Sequence, residues 1–307
     1  MKSLRDIVTI AVILLCHSGP VWAYCRTTTC DREGAPAECV ASRNNNCSTS
    51  GVPVTWPSTC VSSSVSSAGS AKRGISADTM RSIVHDAFQQ WTTVTCADGN
   101  SPSFVVDMFP DVNCTDVIGD AGYNRNGPNY NLWYFEDNDW PHDNVGEDAI
   151  ALTFAQFDEN SGELYDADVE LNSAGINFTL DPNSADIDLP SVVQHESGHF
   201  LGLAHSGINT ATMWPSLRNG DASLRTLDPD DVAAICAAYP PGHLNPSCDP
   251  EPRHGFSTEC TLQQHGGCAL VPGSRAGGGR LAHEFVVFVL FGAAAASRRL
   301  TRTARFS

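Results

Sequence analysis

The chain has 307 residues, 41% hydrophobic and 17% charged, with 18 Lys+Arg against 35 Asp+Glu for a formal net charge of −17. That length supports one substantial domain with flanking segments and a full-sized core, and the acidity excludes nucleic acid as a partner, because phosphate backbones demand basic patches. The acidity also favours solubility outside the cell and leaves carboxylates free for a divalent cation.

In chain order, the first feature is a short basic start, Lys2 and Arg5, followed by the apolar run 7–15 and then Val21-Trp22-Ala23. This pattern predicts a secretory signal peptide over residues 1–23, cut after Ala23. Residues 24–268 then carry 10 Lys+Arg against 33 Asp+Glu, a net −23. Eleven of the 12 cysteines remain, and ten are left when Cys268 is set aside with the tail. In an oxidising compartment ten cysteines fit five bridges, whose pairing the spacing does not give. Residues 24–50 read as a disulfide-tied, Cys-rich N-terminal segment. A Ser-rich stretch holding Val61 and Val65 reads equally as a flexible linker or an edge strand.

Residues 76–91 follow an amphipathic helical pattern, with Met80, Ile83, Val84, Ala87, Phe88 and Trp91 on one stripe and Ser76 or Asp78 as cap. Strands are predicted at 103–108, 132–135, 150–157 and 166–171, the last two around the turn 158–162. A second helix begins near Pro190 and stops near Gly202. A last helix starts at Asp228-Pro229-Asp230-Asp231 and ends before Pro240-Pro241.

Residues 195–206 read His-Glu-Ser-Gly-His-Phe-Leu-Gly-Leu-Ala-His-Ser. Four residues make about one helical turn, so His195 and His199 present two imidazoles to one ion. Glu196 is adjacent but rotated, as suits a base that contacts water rather than the metal. Gly202 allows the chain to turn back so that His205 becomes a third ligand. Three protein ligands leave a coordination position open, which distinguishes a catalytic zinc from a structural one.

The segment resembles the metzincin signature HExxHxxGxxH, and Ser206 after the third histidine resembles its matrixin branch. Thr212-Met213-Trp214-Pro215 is similar to the matrixin Met-turn. The resemblance covers roughly residues 51–241. It implies an α+β zincin catalytic domain, with a twisted mixed five-stranded sheet packed on long helices and a Met-turn. It further implies that Met213 forms an apolar floor under one catalytic Zn2+ held by His195, His199 and His205. Trp214 and Pro215 would line the pocket for the residue after the scissile bond, and Glu196 would be the general base of a zinc endopeptidase acting on protein or peptide substrates; the oligomeric state is left open, with a monomer expected.

Two family features are missing. No histidines stand in the strands that hold a second, structural zinc in animal matrixins, and no Pro-Arg-Cys-Gly cysteine switch is present. The turn offers Asp158, Asn160 and Glu163, with Asp166 and Asp168 following; these oxygens suit Ca2+, and a solvated acidic hairpin is the competing reading. Residues 242–268 read as a linker with a Cys248–Cys260 disulfide. Residues 269–307 combine a Gly-rich stretch, the apolar run 285–296 and terminal arginines, and resemble the C-terminal sorting tails of myxobacterial surface proteins. That implies a bacterial protein at the outer surface or outside the cell, with the tail attaching it to the membrane; a degenerate tail is the alternative. Two other functions compete with the endopeptidase: an inactive zinc-binding adhesion module, and a hydrolase of non-peptide amides.

Overall fold

The computed structural model describes residues 24–31, 39, 47–113, 123–140 and 148–259, and the backbone of 285–292. The expected signal peptide, Cys268 and most of the tail lie outside the described residues. The elements run β1 (Cys25–Arg26), β2 (Cys60–Val65), α1 (Ala77–Thr93), β3 (Val105–Met108), β4 (Leu132–Phe135), β5 (Ala149–Phe157) and β6 (Leu164–Leu171). They continue with β7 (Phe178–Thr179), β8 (Ile187–Asp188), α2 (Leu189–Phe200), β9 (Leu203–Ala204), β10 (Ser216–Leu217), a 3-10 turn (Ser223–Arg225), α3 (Pro229–Ala238) and β11 (Phe285–Gly292).

The fold is α+β. Its centre is a mixed five-stranded sheet, β5-β6-β4-β2-β3, in which β5 alone runs antiparallel to its neighbour. β11 and β10 extend the sheet beyond β5 to seven strands. Helices α1 and α2 pack together over the sheet. The Ser76 hydroxyl caps α1 by accepting from Thr79 N, and Met80, Val84, Ala87, Phe88 and Trp91 form its buried stripe. Phe88 stacks edge-on against Phe200 of α2 with ring centroids 4.9 Å apart, and Trp91 Nε1 donates to the Gln194 carbonyl at 3.0 Å.

The Ser-rich stretch is neither linker nor edge. β2 lies inside the sheet between β4 and β3 and is buried along its length. Serine is small enough for a two-sided interior position; the Ser62 hydroxyl is buried there with no hydrogen-bond partner, and the strand is held through the Ser63 side chain and the backbone. Ser63 Oγ accepts from Trp133 Nε1 at 3.0 Å, and Asn131 Nδ2 donates to the Ser62 carbonyl at 2.8 Å.

Four disulfides occur among the described residues: Cys25–Cys47, Cys30–Cys39, Cys60–Cys248 and Cys96–Cys236. The expected Cys248–Cys260 bridge is therefore corrected. Residues 242–259 run back along the domain, where Ser62 N donates to the Pro250 carbonyl and Asn245 N to Thr59 Oγ1, both at 3.0 Å. That path delivers Cys248 to Cys60. No helix among the described residues is long and apolar enough to cross a membrane.

Candidate metal centre

Helix α2 carries the metal motif and is anchored at both ends. Asp188 caps it by accepting from Ser191 N at 2.9 Å, with Pro190 in the first turn. Arg225 grips the same carboxylate with two donors, at 2.8 and 2.5 Å. At the other end, orphan carbonyls find side-chain donors: Trp56 Nε1 to Phe200 O at 2.9 Å and the Tyr239 hydroxyl to Leu201 O at 3.0 Å. Gly202 turns the chain with φ +83°, and a Cβ there would strike the Val54 carbonyl. The chain then enters β9, which pairs with β1, so the Cys-rich N-terminal segment lies beside the strand leading to His205.

His195 Nδ1 donates to the Thr212 carbonyl at 2.7 Å, and His199 Nδ1 to the Leu203 carbonyl at 2.8 Å. Carbonyls only accept, so both rings carry their proton on Nδ1 and keep a lone pair on Nε2. Those Nε2 atoms lie 3.1 Å apart, and His205 Nε2 lies 3.2 Å from that of His199. Acceptors this close repel unless a cation sits among them. Zn–N bonds of 2.0–2.1 Å at tetrahedral angles place ligand nitrogens about 3.3 Å apart, so the trio fits zinc. Burial pushes His195 down to about 3 and His205 to about 4, with His199 also lowered, which keeps all three imidazoles neutral. Among the described residues this is the one group of three or more His, Cys, Asp or Glu whose ligand atoms converge.

Glu196 is fully buried next to the trio. Its Oε2 accepts from the Thr153 hydroxyl of β5 at 2.5 Å, while Oε1 is buried with no hydrogen-bond partner. An orphan acceptor of this kind matches a base that must hold a water. Burial raises its pKa to about 8, and the Thr153 hydrogen bond pulls in the opposite direction.

Met213 is buried against the Gly198 face of α2; a Cβ on Gly198 would collide with Met213 Sδ and with Trp91. Its loop is clamped by α3. Asp231 accepts from Thr212 N at 2.6 Å and Met213 N at 3.1 Å, and Asp230 accepts from the Ser206 hydroxyl at 2.6 Å. In the sequence these acids mark only a helix start, and no local pattern signals Thr153, Asp188 or Arg225. Trp214 and Pro215 are half-buried and lead into β10.

Asp158 and Glu163, expected among the calcium ligands, are engaged by the protein's own donors. One oxygen of Asp158 accepts from Asn160 N, Ser161 N and the Ser161 hydroxyl, and its other from the Tyr165 hydroxyl. Glu163 is paired with Arg253. Asp166 and Asp168 are buried in β6.

The comparisons with known proteins agree with this geometry. Residues 116–240 match the matrixin family. Metalloendoproteinase 2-MMP of Arabidopsis thaliana is 29% identical over 163 residues, covering 52% of this chain and 37% of the relative. Metalloendoproteinase 1-MMP of the same plant is 47% identical over 55 residues, 18% of this chain and 15% of the relative. Karilysin of Tannerella forsythia is 37% identical over 92 residues, 27% and 19% of the two chains. In each of these the chain spans well under half of the relative's own length. The matrixin-matched segment contains β4 to α3, and so the whole motif.

Proposed function

We propose that this chain is an exported zinc endopeptidase of matrixin type. The observation that carries the reading is the pairing of three converging Nε2 atoms with a buried carboxylate whose Oε1 has no partner. His195, His199 and His205 would hold the ion, and bound zinc acidifies water and polarises a peptide carbonyl. The carbonyls of Thr212 and Leu203 orient two of the three rings and fix their tautomers. Glu196 Oε1 takes the proton of the attacking water and delivers it to the leaving amine, while Thr153 holds the other oxygen in place. Met213 forms the floor of the site, and Trp214-Pro215 shape the pocket for the residue after the scissile bond. The plant and bacterial relatives support the proteolytic reading through their names, and the three ligands plus an adjacent base speak against a merely structural zinc.

The deciding experiment is Glu196→Ala. That variant should retain one zinc per chain by elemental analysis and lose peptide cleavage by about two to four orders of magnitude. Cleavage at the parent rate would remove Glu196 from the reaction, and absence of zinc in the folded parent would remove the enzyme reading.

Export rests on the basic and apolar start and on the disulfides, which persist in oxidising compartments. A cut after Ala23 would convert Tyr24 N, which donates to Asp230 Oδ1 at 3.1 Å, into an ammonium facing that carboxylate. N-terminal sequencing of secreted protein should therefore begin at Tyr24. The sorting-tail reading predicts loss of the residues after Cys268, which mass spectrometry of exported protein would reveal.

A further inference from the structure

β11 lies between two segments that each lead directly to the metal site. On one side it pairs antiparallel with β5, from Phe285 opposite Gln156 to Phe291 opposite Ala149. In that register Phe288 stands opposite Thr153, the residue whose hydroxyl holds Glu196. On its other side it pairs parallel with β10, Phe291 opposite Ser216 and Gly292 opposite Leu217, three to four residues after Met213. β5 and β10 do not pair with each other. The space between them is one strand wide, and the chain's own distal segment fills it.

An extended peptide binds a folded protein most readily by adding a strand to an open sheet edge, taking its affinity from main-chain hydrogen bonds. Without β11, the β5 edge nearest Glu196 and the facing side of β10 would both be open. The rest of the sheet offers no equivalent: β6, β4 and β2 are internal, and β3 is the edge remote from β5. A peptide whose carbonyl is to reach Glu196 and the metal would therefore compete for the same backbone groups. The sequence of β11, Phe-Val-Val-Phe-Val-Leu-Phe-Gly, has no charge or proline and is rich in residues that favour strands, so it competes well.

We propose that β11 is a built-in blocking strand that keeps the peptide site closed until the segment after residue 259 is displaced or cut away. This rests on the endopeptidase reading and adds to it a mode of latency that requires no cysteine. A cut anywhere between residues 259 and 285 would sever the covalent link that keeps the strand at high effective concentration.

The test uses the zinc-loaded full chain from Tyr24 to Ser307 and two altered forms of it. The first is Val287→Pro with Phe288→Pro. Adjacent residues of a strand point their N–H groups to opposite sides, so one of the pair must lose a donor to β5. The second carries a site-specific protease sequence between Gly273 and Ser274 and is cut after purification, which covers the case where the proline form fails to fold. Amide exchange across β5 and cleavage of a fluorogenic peptide library are measured on all three.

The expected result is slow exchange at β5 in the parent and faster exchange in both altered forms. Their kcat/KM should rise about tenfold or more, as for an edge free a tenth of the time or less in the parent. Adding a Lys-flanked peptide of residues 285–292 should inhibit the cut form competitively. Equal kcat/KM in the parent and in altered forms whose β5 amides have become exposed would overturn the blocking role, as would fast β5 exchange in the parent. If none of the forms cleaves any peptide while holding zinc, the endopeptidase reading falls, and the blocking role with it.

Discussion

Under the endopeptidase reading, the Thr153 hydroxyl is the smallest part of the site with a consequence for rate. It donates to Glu196 Oε2 at 2.5 Å inside a fully buried pocket. Thr153→Val keeps the shape and removes the donor, leaving both carboxylate oxygens without a protein partner. An unsatisfied buried acceptor costs about 1–3 kcal/mol, so kcat should fall about 10- to 100-fold with KM and zinc content little changed. The hydrogen bond favours the charged form, so its loss should also move the acid limb of the kcat/KM profile to higher pH. Thr153→Ser should restore both. An unaltered kcat and pH profile in Thr153→Val would show that Glu196 needs no such positioning. The three histidines and Glu196 are legible in the sequence because their geometry is set within a dozen consecutive residues. Thr153 is not, because its role depends on the register between a strand and a helix 43 residues apart.

At the scale of elements, the proposed metal site is a sandwich of α2 and the Met213 loop, and Gly198 sets its thickness. A methyl group there would push into Met213 Sδ and the Trp91 ring, so the loop must move away. The residue before Met213 supplies the carbonyl that orients His195. Gly198→Ala should therefore weaken zinc binding about 10- to 100-fold, the cost typical of losing a partner that orients a metal ligand. A chelator competition titration measures this, and parent affinity would show that the loop relaxes without disturbing Thr212. The helices were legible from apolar stripes and caps, since those signals are local. β2 was harder, because a run of serines looks solvated until Trp133 on Ser63 and the strands on either side are known. The run 285–292 posed the opposite problem: an apolar octet has the composition of both a membrane-directed run and a strand, and its pairing with β5 is a long-range property.

Across the whole molecule, the ends of the domain are tied together by chemistry that spacing does not reveal. Cys60–Cys248 and Cys96–Cys236 span 188 and 140 residues, and in the chain-entropy account each removes about 5 kcal/mol of disorder from the unfolded state. Against this, β6 carries a strain that depends on pH. Burial raises both Asp166, to about 8, and Asp168, and the two side chains share a hydrogen bond. The native pair thus binds a proton that the unfolded chain releases near 3.8. From that value up to about 8 the folded state holds more protons than the unfolded one, so stability is fully present at the acid end and declines as pH rises through the window. Asp166→Asn removes the Asp166 share of this titration and leaves Asp168 as the one buried carboxylate of the pair. Its Tm should match the parent's at the acid end and exceed it increasingly toward the alkaline end, with a shallower decline between. Parallel profiles for the two proteins would show that the pair is solvated rather than buried. A parent Tm that rises in millimolar calcium, with the rise lost in Asp166→Asn, would instead make these carboxylates part of a cation site, because an ion would then hold both of them charged.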